Sequence, residues 1–330
     1  MSDKQVTKLK KDSLIAKIFA KQEAIVALVI IAIAVFLIFK RPDAFPTSRN
    51  IFNVLRQSAV YAIMAVGMGL VIVAGGIDLS VGSVLAFSCC LGAYVNASVE
   101  SGLPAILVLL IILAAGAFAG LLNGLMVAKI GLPPFIATMG MLSIGEGVAL
   151  MLTNGTPIRY EKTWISAFGG GYIGPVPLSV IVMFVTVALG FLFAKYTVSG
   201  RNVYAVGNNP RAAKLSGINT DGILIMVYII SGALSGLAGL MMMGQLNAAG
   251  PNYGSGYELD TIASAVIGGI SMAGGEGNIL GVILGAILIG LLRNMFAMLA
   301  VSGYWQTIII GLVIIVSVAI DCIRKKKQAK

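Results

Sequence analysis

The chain has 330 residues, of which 58% are hydrophobic and only 11% charged, with a formal net charge of +10 and no histidine. A soluble domain carries roughly 25% charged residues, so this composition cannot cover a water-facing surface, and the mean hydropathy of +0.97 belongs to a chain that lives in lipid. The missing histidine removes imidazole from any catalytic or metal-ligand set, and the three cysteines, two of them adjacent at Cys89 and Cys90 in an apolar stretch, predict neither a disulfide framework nor a metal site.

The chain opens on a basic tail, 1–23, that carries Lys4, Lys8, Lys10, Lys11, Lys17 and Lys21. The apolar run after it is longer than a signal-peptide core and is followed by Lys40 and Arg41 where a cleavage site would fall, so it reads as a retained first helix. Apolar segments then recur near 24–40, 56–75, 80–99, 104–128, 134–152, 177–196, 222–247, 259–274, 277–294 and 304–322, about ten spans in a single membrane domain, 24–322. Runs of about 20 apolar residues match a ~30 Å hydrocarbon core, where a helix satisfies its own backbone. The strict alternation of a transmembrane barrel is missing. The fold class is therefore all-α, a polytopic integral membrane protein.

An even number of spans puts both termini on one side, and the positive-inside rule makes that side cytoplasmic. The closing tail, 323–330, carries Arg324, Lys325, Lys326, Lys327 and Lys330, and the segment 197–221, with Arg201, Arg211 and Lys214, falls on the same side. The segment 153–176, with Arg159, Glu161, Lys162 and Trp164, falls outside; so do Lys40, Arg41, Arg49 and Arg56, which run against the rule. Basic tails without a folded or aromatic platform predict contact with the lipid membrane and no nucleic acid.

The 41 glycines exceed an average usage of about 7%. Gly116, Gly120 and Gly124 are spaced by four, as are Gly277, Gly281 and Gly285, with Gly232 and Gly236 as a shorter case; that spacing holds them on one helix face, where backbones approach closely. Clusters at Gly75-Gly76, Gly268-Gly269 and Gly274-Gly275 predict breaks inside apolar segments, tolerated only where backbone is buried in protein or lines a cavity.

Four stretches carry a family resemblance. Gly75-Gly76-Ile77-Asp78-Leu79-Ser80-Val81-Gly82 resembles a signature of the monosaccharide ABC importer permeases, the group containing the ribose, xylose, arabinose and galactose systems. Gly131-Leu132-Pro133-Pro134-Phe135-Ile136-Ala137-Thr138-Met139-Gly140 is similar to a second segment of that family. Gly200-Arg201-Asn202-Val203-Tyr204-Ala205-Val206-Gly207-Asn208-Asn209-Pro210, continuing to Asn219, resembles its cytoplasmic coupling loop, and Tyr257-Glu258-Leu259-Asp260-Thr261-Ile262-Ala263 with the glycines that follow resembles a fourth block. Asn208, Arg211, Glu146 and Glu276 depart from the family pattern. The resemblance implies an ABC permease subunit of the bacterial inner membrane that imports a simple sugar such as ribose. Its implied partners are a cytoplasmic ATPase subunit, an extracytoplasmic sugar-binding protein, and a second copy of itself or a paralogous permease. In that reading Arg201, Gly207, Asn209, Pro210, Ala213, Lys214 and Gly217 belong to the ATPase-coupling loop.

Single residues keep two readings each. Asp78 and Ser80 either line the translocation pathway or cap the next helix. Asn123, Thr138, Asn247 and Gln245 either bond between helices or line the pathway. Glu258 and Asp260, two apart, face different ways and suit a helix N-terminus as structural caps. Pro210 suits the first position of a short helix with Asn209 as its N-cap. No Gly-x-x-x-x-Gly-Lys-Ser/Thr run occurs, so no cofactor is expected in this chain, with ATP and its magnesium on the partner, and the chain is not expected to be an enzyme. The competing reading is an ion-coupled secondary transporter, for which Asp78 and Glu146 are the mid-chain acids.

Overall fold

The computed structural model describes residues 22–99, 103–159 and 164–328. Nearly all of the basic tail 1–23, and Glu161 and Lys162 of the outer segment, lie outside the described residues. The order of elements is α1 (Gln22–Lys40), α2 (Ser48–Val73), α3 (Val81–Ala97), α4 (Ala105–Leu125), α5 (Pro134–Thr153), β1 (Ile158–Arg159), α6 (Trp164–Gly170), β2 (Tyr172–Ile173) and β3 (Val176–Pro177). There follow α7 (Leu178–Tyr196), α8 (Val198–Asn208), α9 (Pro210–Leu215), α10 (Thr220–Leu246), β4 (Ala248–Ala249), α11 (Tyr257–Ile267), α12 (Val282–Met298) and α13 (Gly303–Gln328). Among the described residues, seven helical stretches are long and apolar enough to cross a membrane, and Val81–Ala97 and Gly303–Ala319 are shorter apolar helices.

Burial ranks the helices. The second half of α2 is enclosed on all sides, whereas α1 buries only Val26 and Leu37 and turns Ile31 and Phe39 outward. An all-round apolar helix at the periphery suits a lipid-facing position, since lipid tails solvate Ile and Phe as well as a core does. The α4–α10 seam is made by glycine. A Cβ on Gly116 would overlap the carbonyl oxygen of Gly232, one on Gly232 would overlap that of Gly116, and one on Gly120 would overlap that of Tyr228. The spaced-by-four glycines thus face one another, as expected. Gly281 and Gly285 do the same against the backbone of Gly268 and Ser264, packing α11 on α12, whereas Gly277, expected on that helix face, lies in the turn before the helix at φ 147°.

Two expectations change. The span expected at 259–274 is instead the 11-residue helix α11, only about 16 Å long at 1.5 Å per residue and half a hydrocarbon core. It stops at Gly268 and Gly269, the latter at φ 99°, and turns follow through Gly274 and Gly275 at φ 77° and 73°. The two glycine pairs break the chain where their clustering predicts, and the span drawn through them from average apolarity is too long. The polar segment 197–221 is also more ordered than a loop: Thr197 accepts a 2.9 Å bond from Gly200 N to open α8, and Asn209 caps α9. The closing tail is partly helical, since α13 runs to Gln328.

Candidate functional site

Asp78 sits between α2 and α3 with 1% of its surface exposed. Gly75, at φ 87°, turns the chain away from α2 and leaves the carboxylate inside the bundle. Its Oδ1 accepts from the Ser80 backbone N–H at 3.0 Å and from the Ser80 hydroxyl at 2.6 Å, while Oδ2 accepts from Ser231 of α10 at 2.9 Å. Asn123 of α4 donates to Ser80 Oγ at 2.9 Å. Tyr228 of α10 donates to the Ile77 carbonyl at 3.1 Å, and Thr138 of α5 donates to Pro134 O at 2.9 Å beside that same carbonyl. Asp78, Ser80, Asn123 and Thr138 therefore meet in one closed node that ties the 74–80 break to three helices. The acceptor from Ser80 N makes Asp78 an Asx turn leading into α3, while Ser80, the N-cap residue, makes no capping bond through its side chain. Replacing Asp78 by alanine is expected to strand the Ser80 amide and Ser231 hydroxyl in the interior, lowering stability by about 1–3 kcal/mol. Thermal unfolding in detergent measures it; an unchanged midpoint would refute the structural role of the carboxylate.

Asn247 stands apart from this node. It is exposed, ends α10 at φ 50° and leads into β4, which pairs antiparallel with β1 and ties the segment after α5 to the end of α10. From there the chain enters the bundle without helix. Gly254, at φ 83°, reaches the start of α3, where a Cβ on Gly82 would overlap its carbonyl oxygen and would lie 2.7 Å from Glu258 Oε2. Two helix N-termini, those of α3 and α11, thus meet inside the protein after irregular backbone. Their positive dipole ends converge on a cavity of about 120 Å³ lined by Ser83, Glu146, Asn252, Tyr253 and Glu258 among others. The sequence reading placed Glu258 at a helix start but missed Asn252 and Tyr253, for which no residue pattern pointed inward. Of the acids two apart, Glu258 turns to this junction and Asp260 turns to α12.

Asp260 is more than a cap. It pairs with Arg293, whose guanidinium lies 5.8 Å from the Tyr61 ring centre, and Tyr61 packs on Tyr257 at 4.9 Å between centroids. Arg293 was not singled out in the sequence, because one arginine between α12 apolar residues looks like an interface anchor until its partner is known.

At the other end of α2, α8 and α9 form a polar projection. Asn209 Oδ1 accepts from Ala212 N at 3.0 Å, with Pro210 at the first helical position, as expected. Ala213 is buried and anchors α9; Arg201, Asn209, Pro210, Lys214 and Gly217 are exposed, and Leu215 presents 90% of its surface. Gly217 closes the turn at φ 82°. Gly207 packs on the last residue of α2: a Cβ there would overlap the Val73 carbonyl oxygen and stand 2.7 Å from Gly275 N. Tyr204 donates to Gly277 O at 3.1 Å. The projection is therefore seated on the two breaks rather than hanging free.

Broken helices meeting at polar junctions inside a bundle of apolar spans are the architecture of a membrane transport protein. The chain belongs to the family of branched-chain amino acid transport system / permease components, whose model matches residues 50–318. It is 40% identical over 311 residues to the ribose import permease protein RbsC of Haemophilus influenzae, covering 93% of this chain and 94% of that one. It is 40% identical over 312 residues to RbsC of Escherichia coli K12, with the same coverage, and 34% identical over 320 residues to the galactose/methyl galactoside import permease protein MglC of that organism, covering 92% and 94%. No solved structure matches the chain. Family and apolar helices together make it a multi-pass protein of the bacterial inner membrane.

Proposed function

We propose that this chain is the membrane-spanning subunit of an ATP-driven importer of a simple sugar, ribose or a similar monosaccharide. The observation that carries the reading is similarity over nearly the full length to import permeases named for ribose and for galactose. The family description names branched-chain amino acids, whereas the relatives at 40% and 34% identity are named for ribose and for galactose. The α8–α9 projection supports a coupling role: α9 offers the exposed Leu215 with Arg211 and Lys214 in the same short helix, and Arg201 is exposed on α8. An ATPase subunit carrying ATP and its magnesium would press on that tip, and an extracytoplasmic sugar-binding protein would deliver substrate to the opposite face. Two copies of the chain, or one copy with a paralogous permease, would enclose the pathway. The Gly82–Gly254 junction lies within this chain's contribution to it. Asp78, fully engaged by Ser80 and Ser231, is better suited to holding the break than to carrying a coupling ion.

The test is uptake into proteoliposomes holding the chain, its candidate ATPase and its binding protein, with labelled ribose, galactose and leucine supplied in turn. ATP-dependent sugar uptake is expected. Uptake of leucine alone, or sugar uptake driven by an ion gradient without ATP, would overturn the reading. Leu215→Asp, on a fully solvated tip, is expected to leave the thermal midpoint unchanged and to weaken co-purification of the ATPase about tenfold or more, since a central apolar contact is worth over 1 kcal/mol. Retained association would remove α9 from the coupling face.

A further inference from the structure

We propose that a second cavity, between α2, α10, α11 and α12, is a binding site for a single monosaccharide-sized polyol within one copy of the chain. This site takes its substrate class from the sugar-importer reading above. The cavity measures about 380 Å³, inside the ~300–1,000 Å³ range of small-molecule sites, whereas the Gly82–Gly254 junction cavity, at about 120 Å³, is smaller than that range. The two share no lining residue, yet they flank the first turn of α11, with Glu258 on one side and Tyr257 on the other. The larger one sits on the first part of α2, remote from the end that touches α8.

Its lining matches a sugar. Asn53 and Gln57 are amides one turn apart on α2, each able to donate and accept toward vicinal hydroxyls. Tyr61, one further turn along, and Tyr257 form a tilted aromatic corner, with rings at 55° to one another. An aromatic corner packs the C–H face of a pyranose or furanose ring while the amides and Arg56 address its edge. A hydrocarbon chain would desolvate these polar groups without pairing them. An anion would meet Arg293 already neutralised by Asp260. The Arg293 side chain, 30% exposed and held in place by Asp260, adds a further donor to the lining.

The full-length chain in lipid nanodiscs is to be titrated with D-ribose, D-galactose and L-leucine, with binding followed by saturation-transfer NMR. Saturable binding of at least one of the sugars is expected. Gln57→Leu and Tyr257→Leu are each expected to weaken it about tenfold or more, while Ser143→Ala, exposed on α5 and lining neither cavity, leaves it unchanged. Thermal midpoints verify folding, and Asn53→Leu, at an exposed position, replaces either variant that fails to fold. Absence of sugar binding, binding indifferent to the cavity variants, or binding of leucine in place of sugar would overturn the site. Uptake separates this from the importer reading: cavity variants that transport sugar with an unchanged KM in a competent complex reject the cavity alone, whereas a wild-type complex that moves no sugar rejects the importer.

Discussion

Gly232→Leu is expected to leave almost no folded protein in the membrane, while Gly147→Leu accumulates like the parent chain. The difference follows from what each new side chain meets. At Gly232 even a Cβ overlaps the Gly116 carbonyl oxygen and stands 2.9 Å from Gly120 N, both of them backbone atoms that cannot rotate aside. Accommodating a leucine means separating α4 from α10, and with them Gly120 from Tyr228 and Gly124 from Ile225, whose Cα would lie 2.7 Å from a Cβ on Gly124. Overpacking commonly costs about 1–3 kcal/mol where side chains can yield; here the cost belongs at or above the upper end, because in lipid such close backbone packing is itself what holds helices together. Gly147, by contrast, lies exposed on α5, and a Cβ added there would meet no atom within 4 Å. Fluorescence-detected size exclusion of the two variants measures this, and equal yields would show that the seam tolerates separation.

Arg293→Met is expected to destabilise by about 3–5 kcal/mol, because it leaves the Asp260 carboxylate, 1% exposed, without its counter-charge or forces it to take up a proton. Asp260→Leu alone is expected to be milder, since the Arg293 side chain retains 30% exposure and can reach solvent or the larger cavity. The double variant, apolar on both sides, should recover more than half of the loss caused by Arg293→Met, because two uncharged groups of similar bulk need no partner. Thermal midpoints of the three variants form a double-mutant cycle. Losses that simply add would mean that the two charges do not stabilise one another, and the arginine's packing over Tyr61 would then be its main contribution.

Much of this arrangement was legible in the residues themselves. Charge content and apolar run length are one-dimensional properties, so helices such as α1, α7 and α10 fall within a few residues of the spans they predict. Glycine spacing told which faces pack, since removing a side chain has a meaning that does not depend on the neighbour. Asn209 and Pro210 told where α9 starts, because a cap is local. What was lost is what depends on two distant segments at once. Asp78 could be read as pathway or cap until Ser231 and Asn123, from α10 and α4, were seen to close around it. Asp260 looked like a cap until Arg293 was placed beside it. Gly268-Gly269 and Gly274-Gly275 marked breaks in the chain, but not that the first pair would end α11 at half length, because hydropathy averages over glycines, the last three here at positive φ, that bend the chain without making it polar. Asn252, which is exposed, and Tyr253 carried no signal, because their place beside Glu258 is set by the path of the chain between α10 and α11 and by no local pattern.

Gly207 has a consequence for how force moves through the molecule. It lies against the Val73 carbonyl, which at the same time accepts a 2.8 Å bond from Gly275 N, so that α8, the end of α2 and the turn before α12 touch main chain to main chain. No flexible side chain lies between them to absorb a displacement. A push on α8, as the proposed coupling would supply, would bear directly on the segment holding Asp78 and on the turn that leads back to α11, the two strands of chain that meet again at Gly82 and Gly254. The joint is stiff because it is made of glycine, and one added methyl group would turn a gear into a wedge.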